Sequence, residues 1–141
     1  MQYEVANVGT QAAFAEARST WAADPVQLPH IRAHTRRWLA VLGLDKDTEQ
    51  DLVLAVNEAA SNAIEHAYPS PGPGDQVTVS FWTEPRHLNV EVADRGRWRQ
   101  PDADCGHRGR GILIMKKTVE SLSIRKNPHG TRVRLRHPLA G

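Results

Sequence analysis

Residues 52–68 read LVLAVNEAASNAIEHAY, and no other stretch constrains the fold as much. Val53, Val56, Ala60, Ala63, Ile64 and Ala67 recur at helical spacing and form a face that must be buried. Asp51, Ala55, Glu58, Asn62 and His66 recur at i+3/i+4 spacing and share a second face. There Glu58 and Asn62 lie one turn apart, with only the small residues Ala55, Ala59 and Ser61 around them. A carboxylate and a carboxamide in such a row suit a hydrated divalent cation and an acceptor hydroxyl. For Glu58 taken alone, a solvated helix face is the better account. Asp47, with Gln50 three residues on, supplies a cap for this helix. Pro69, Pro71, Gly72, Pro73 and Gly74 end it after Tyr68.

The flanking sequence supplies partners for the buried face. Upstream, Ile31, Thr35, Trp38, Leu39 and Leu42 predict a helix over 30–42, opened by Pro29 and stopped by Gly43. His30 and His34 lie one turn apart on it, but no Cys or carboxylate accompanies them, so they read as solvated surface residues. Val26–Leu28 reads as a short extended piece. Thr10–Ala23 is Ala-rich and predicts a helix, within an N-terminal extension or linker over 1–24 that precedes a domain spanning 25–141.

Downstream the period changes from helical to two. Val77, Val79 and Phe81 alternate with Thr78, Ser80 and Trp82. After a turn at Glu84–Pro85–Arg86, Leu88, Val90 and Val92 continue as a second strand, an antiparallel hairpin. Two more strands close the chain, one with Leu122 and Ile124. In the other Thr131, Val133 and Leu135 face inward and Arg132, Arg134 and Arg136 outward. Asn127–Gly130 turns between them.

The alternation Leu88–Val90–Val92 runs on to Asp94. A carboxylate at the core-facing end of a strand is costly to bury unless something donates to it. An Asx turn through Asp94–Arg95–Gly96 is one explanation. The other is a ligand amino group such as the exocyclic amine of adenine, with Gly96 allowing close approach of a flat ring. Residues 95–108 are polar and aperiodic, as a mobile loop would be. Gly109–Arg110–Gly111 then opens a helix over 112–120, a place where backbone N–H groups attract phosphate. The glycine spacing is not that of a dinucleotide fingerprint, and no Walker A sequence occurs. Cys105 and His107 make at best a weak metal pair.

At 141 residues the chain fits one domain. It has no apolar run of membrane-spanning length and no signal-peptide pattern. The lone cysteine, Cys105, favours a reducing cytoplasm. A net charge of +2, spread over several segments, does not point to nucleic acid.

Taken in order, NEAASNAIEHAY, VADRG, RGRGILIM and the final Gly-Thr strand opening resemble the N box and glycine boxes of the GHKL superfamily. This is the Bergerat ATP-binding fold of histidine kinases and gyrase B, and the likeness runs from about Pro29 to Arg136. Within it the chain is most similar to the anti-sigma-factor serine/threonine-protein kinases of the RsbW and SpoIIAB kind. The resemblance implies an α+β fold, a two-layer α/β sandwich with a mixed, mostly antiparallel sheet covered on one face by helices. It implies ATP and Mg²⁺ as cofactors, with Glu58 as general base and Asn62 as magnesium ligand. Asp94 would bind the adenine amine above Gly96. Gly109, Arg110 and Gly111 would wrap the phosphates, and Thr131 would support the adenine side.

From residue pattern alone, Thr131 is an ordinary strand residue. Arg95, Arg97, Arg99, Arg108 and Arg110 crowd a short lid, a departure from the family pattern, as is Glu120 where many relatives carry Asp. The implied partners are a sigma factor and an anti-anti-sigma (STAS) protein, with a homodimer for which the sequence carries no interface signature. The alternative function is a nucleotide-dependent binding adaptor with little transfer activity. Glu58 favours catalysis, since an adaptor has no need of a base.

Overall fold

The computed structural model describes residues 2–4 (backbone only), 16–68, 72–96 and 121–139. Its sheet has six strands: β1 (Gln2–Glu4), β2 (Glu16–Ala22), β3 (Gln76–Glu84), β4 (His87–Asp94), β5 (Ser121–Asn127) and β6 (Gly130–Pro138). They lie in the order β1-β2-β3-β4-β6-β5, and every described pairing is antiparallel. Two helices, α1 (Leu28–Leu39) and α2 (Lys46–Asn62), pack on one face, and a π-helical turn, Ala63–Ala67, prolongs α2. The expected two-layer α+β architecture is what forms. The predicted helix 112–120 lies outside the described residues.

The alternation read from sequence sets which side chains meet the helices. Val77, Val79, Phe81, Leu88, Val90, Val92, Val133 and Leu135 are all essentially inaccessible to solvent. The opposite face of the sheet is polar. Across its middle run Arg18, Ser80, Glu91, Arg134 and Ser123 in direct cross-strand register. Neither α1 nor α2 covers it.

Phe81 organises the layer between α1 and the sheet. Trp38 stacks on it with ring centroids 5.0 Å apart, and His34 lies 5.7 Å away, tilted. Removing the Phe81 ring would cost about 3–5 kcal/mol, the usual range for an emptied aromatic site.

Four local expectations need correction. Residues 16–22 form strand β2 rather than helix, because Ala17, Ser19 and Trp21 alternate inward against Phe81, Val79 and Val77. Trp21 Nε1 donates to Ser19 Oγ at 2.8 Å, a satisfied indole that a solvent-exposed helix would not provide. Pro25–Gln27 is a 3₁₀ turn, capped by the Asp24 side chain, not an extended piece. The cap of α2 is Asp45, whose carboxylate accepts from Thr48 N at 2.8 Å and Thr48 Oγ1 at 3.1 Å; Asp47 sits inside the first turn. His34 is buried, not a solvated surface residue. Gly43 does end the α1 segment, at φ 71°, in the left-handed conformation open to glycine.

Candidate functional site

The π turn that follows α2 is held against β4 and β6, and this brings the helix end to the strand exit that carries Asp94 and Gly96. A methyl group placed on Gly96 would strike Ala67, lying 2.6 Å from its carbonyl carbon and 2.7 Å from its Cβ. Gly96 is thus a glycine because the backbone of the helix end passes against it. That contact explains the residue without any bound ring.

Asn62, the last residue of α2 before the π turn, is 7% exposed. Among the described residues its Nδ2 has no hydrogen-bond partner. A buried carboxamide left unpaired costs about 1–3 kcal/mol, so the position calls for a group not described with it. Rotating the amide over would present its oxygen at the same place. Glu58 stands one turn earlier and is half-buried. Ala55 and Ala59, placed by periodicity on the polar side, are wholly buried. The Glu58–Asn62 row therefore runs along the flank of the core, not across an open surface.

Asp94 is 7% exposed and ends the inward row of β4. Its cross-strand neighbours are Val77 on one side and Thr131, 2% exposed, on the other. Gly96 N donates to Asp94 Oδ1 at 3.1 Å, so the Asx turn foreseen as an explanation does form. The turn and a ligand role are compatible, since a carboxylate has about four acceptor sites.

Two residues that sequence reasoning did not place in the site support it. Tyr68 Oη donates to Gln76 O at 2.9 Å and accepts from Arg95 N at 2.8 Å, tying the helix end to the start of β3 and the exit of β4. Burial pushes its phenol above the ordinary range. The Arg95 N–H bond works against that rise, and Asp94 and Asp75 nearby add to it. The hydroxyl stays protonated and able to donate. The signal was available: a tyrosine closing a buried helix needs a partner for its hydroxyl. Gly130, at φ 149°, lies so close to the Asp94 backbone that an added methyl would meet its carbonyl oxygen, and would stand 3.0 Å from Arg95 Cα. It fixes the strand exit on which Asp94 sits.

A groove of about 690 Å³ runs from the polar sheet face round to Tyr68, Asp94, Gly130 and Thr131. Gly109, Arg110 and Gly111, and with them the predicted phosphate-binding lid, lie outside the described residues. Glu58, Asn62, Asp94, Gly96 and Thr131 are the predicted site residues that the structure describes. Asp94, Gly96 and Thr131 meet at the exit of β4, against the π turn that follows Asn62, with Glu58 one turn back along α2; neither Glu58 nor Asn62 lines the groove.

Comparison with known proteins agrees with this architecture. Residues 21–137 match the family described as histidine kinase-like ATPase domain. The serine-protein kinase RsbW of Bacillus licheniformis is 35% identical over 101 residues, covering 72% of this chain and 61% of the relative. The anti-sigma F factor of Pasteuria penetrans is 31% identical, covering 62% of this chain and 67% of the relative. The chain thus spans about two thirds or less of the length of these relatives. Among solved structures, that of the RsbU and RsbW domains of Rv1364c from Mycobacterium tuberculosis superposes with a TM-score of 0.71 at 26% identity. That match covers 88% of this chain and 32% of the other. By its sequence match from residue 21 to residue 137, and by its helix-on-sheet fold, the chain belongs to the histidine kinase-like ATPase domain family.

Proposed function

We propose that this protein is an ATP-dependent serine/threonine kinase and anti-sigma factor. It phosphorylates a STAS-type anti-anti-sigma protein and sequesters a sigma factor when that protein is modified. The observation that carries the reading is Asn62: a buried carboxamide, its Nδ2 unpaired among the described residues, at the end of α2 just before the π turn that packs on β4 and β6. The chemistry of Asn62 and Asp94 fits Mg²⁺ and an adenine nucleotide: a neutral amide for the cation and a buried carboxylate for an amine. Similarity to proteins named serine-protein kinase RsbW and anti-sigma F factor supports the substrate class and the sigma-factor partner.

Bound Mg²⁺–ATP supplies the transferable phosphoryl group. Asn62 would hold the metal through its amide oxygen. Asp94 would accept from the exocyclic amine of adenine, selecting it over guanine, which offers a carbonyl there. Thr131 stands beside Asp94 in register, and Tyr68, Gly96 and Gly130 hold the Asp94 turn in place. Glu58 takes the proton of the incoming serine hydroxyl. Phosphoryl transfer asks mainly for positioning and charge, so one base, one metal ligand and lid arginines suffice. Gly109, Arg110 and Gly111 supply the phosphate contacts in this scheme.

Incubating the protein with labelled ATP, magnesium and candidate STAS partners tests the proposal. Label transferred to a partner serine or threonine is the expected result. Tight nucleotide binding without transfer to any of them would favour the adaptor instead.

A further inference from the structure

The face of the sheet turned away from α1 and α2 carries a charge pattern that the roles proposed for Glu58, Asn62 and Asp94 do not use. Arg132, Arg134 and Arg136 project from alternate positions of β6, with side chains 63%, 54% and 45% exposed. Glu91 on β4 is only 12% exposed, and its two oxygens take Arg132 Nη1 at 3.0 Å and Arg134 Nη2 at 3.2 Å. The guanidinium of Arg134 also lies 5.2 Å from the centre of the Trp82 ring. These contacts draw the guanidiniums of Arg132 and Arg134 together over Glu91.

Arg125 of β5 is the direct cross-strand neighbour of Arg132. Among the described residues it has no carboxylate partner. Like charges directly opposite one another destabilise a strand pair; Glu91 answers the charge of Arg132, and no described carboxylate answers that of Arg125. Ser121 and Ser123 stand opposite Arg136 and Arg134, and their small side chains leave a groove of about 550 Å³ in front of the arginines.

We propose that this face docks an acidic surface of a partner protein, with carboxylates of the partner meeting the Arg125–Arg132 pair. Charge complementarity selects that occupant. A second copy of the chain would set one positive face against another. Trp82 is the one large apolar side chain on this face among the described residues, too little for the apolar centre of a homodimer interface. Glu91 is taken up by Arg132 and Arg134, and Glu84 lies 3.9 Å from Arg136, so the charge left over on this face is positive; a nucleic-acid backbone is the competing polyanion that the test separates. The face lies across the sheet from α2, so its behaviour is separable from that of Glu58 and Asn62.

The test is fluorescence polarisation of a labelled poly-glutamate peptide on the full chain, at low and at high salt. The wild type is expected to bind at low salt and to release the peptide as salt is raised. Arg125→Glu is expected to weaken binding by about tenfold or more, the scale of a like-charge contact across an interface. Arg132→Gln should weaken it less, and Arg37→Glu, on exposed α1 surface, should leave it unchanged. Thermal melting checks that each variant folds, and Arg125→Gln replaces Arg125→Glu if the latter does not. Equal binding by wild type and the Arg125 variant, or no low-salt binding by the wild type, would overturn the proposal. So would tighter binding of a poly-dT oligonucleotide, or a dimer in sedimentation that the Arg125 substitution splits.

Discussion

Asp94 already spends one oxygen on Gly96 N, and the value of the residue to a ligand depends on what its carboxylate accepts beyond that. Asp94→Asn keeps the shape and can keep the turn, but it presents a donor where an adenine amine also donates. It is expected to lower ATP affinity by about 2–3 kcal/mol while moving the Tm little. The wild type should prefer ATP to GTP, and isothermal titration showing equal affinities would contradict the adenine assignment. Gly96 makes a separate demand. Gly96→Ala drives a methyl into the Ala67 backbone and is expected to cost about 1–3 kcal/mol of stability by denaturant unfolding. An unchanged midpoint would mean that the helix end and the strand exit are not packed as described. The inward position of Asp94 was legible in the sequence because strand alternation has a strict period of two. The true neighbour of Gly96 was not, since a glycine pattern does not say whether a ligand or a backbone fills the missing side chain's place.

At the scale of elements, α1 is held to the sheet by an aromatic contact that includes a titratable ring. His34 lies 5.9 Å from Trp21 and 5.7 Å from Phe81, and burial lowers its pKa, with Arg37 adding to the effect. A histidine whose folded pKa is depressed is neutral in the native state and gains a proton more readily unfolded. Its contribution is fully present above the unfolded value of 6.5 and is lost as pH falls through the lowered folded value. The Tm is expected to drop as pH falls below about 6.5, and His34→Gln should flatten that slope. A slope unchanged by the substitution would remove His34 from the account. Helical spacing placed the α1 segment correctly, yet it could not show that His34 faces inward. That follows from β2, whose Ala-rich sequence favours helix locally and becomes a strand only because β3 offers it a pairing edge. The cap of α2 slipped by two residues for a related reason: Asp45 and Asp47 are both good acceptors, and only the backbone geometry chooses between them.

For the whole molecule, the sequence carried the helix-on-sheet layering, because the apolar face of α2 and the alternating strands could bury one another in few other ways. It carried less of the site. The residues at the sheet's end meet through the π turn, the Tyr68 bridge and the close approach of Gly130 to Asp94, none of which has a period in the sequence. The central claim is that this assembly binds a nucleotide and also transfers its phosphoryl group, with Glu58 taking the proton. Single-turnover phosphotransfer to a STAS partner by wild type and Glu58→Gln, with a nucleotide titration on each, tests that claim most directly. The account predicts unchanged Mg²⁺–ATP affinity and transfer slowed by roughly 10²-fold or more in the variant. Transfer at the wild-type rate by Glu58→Gln would contradict it.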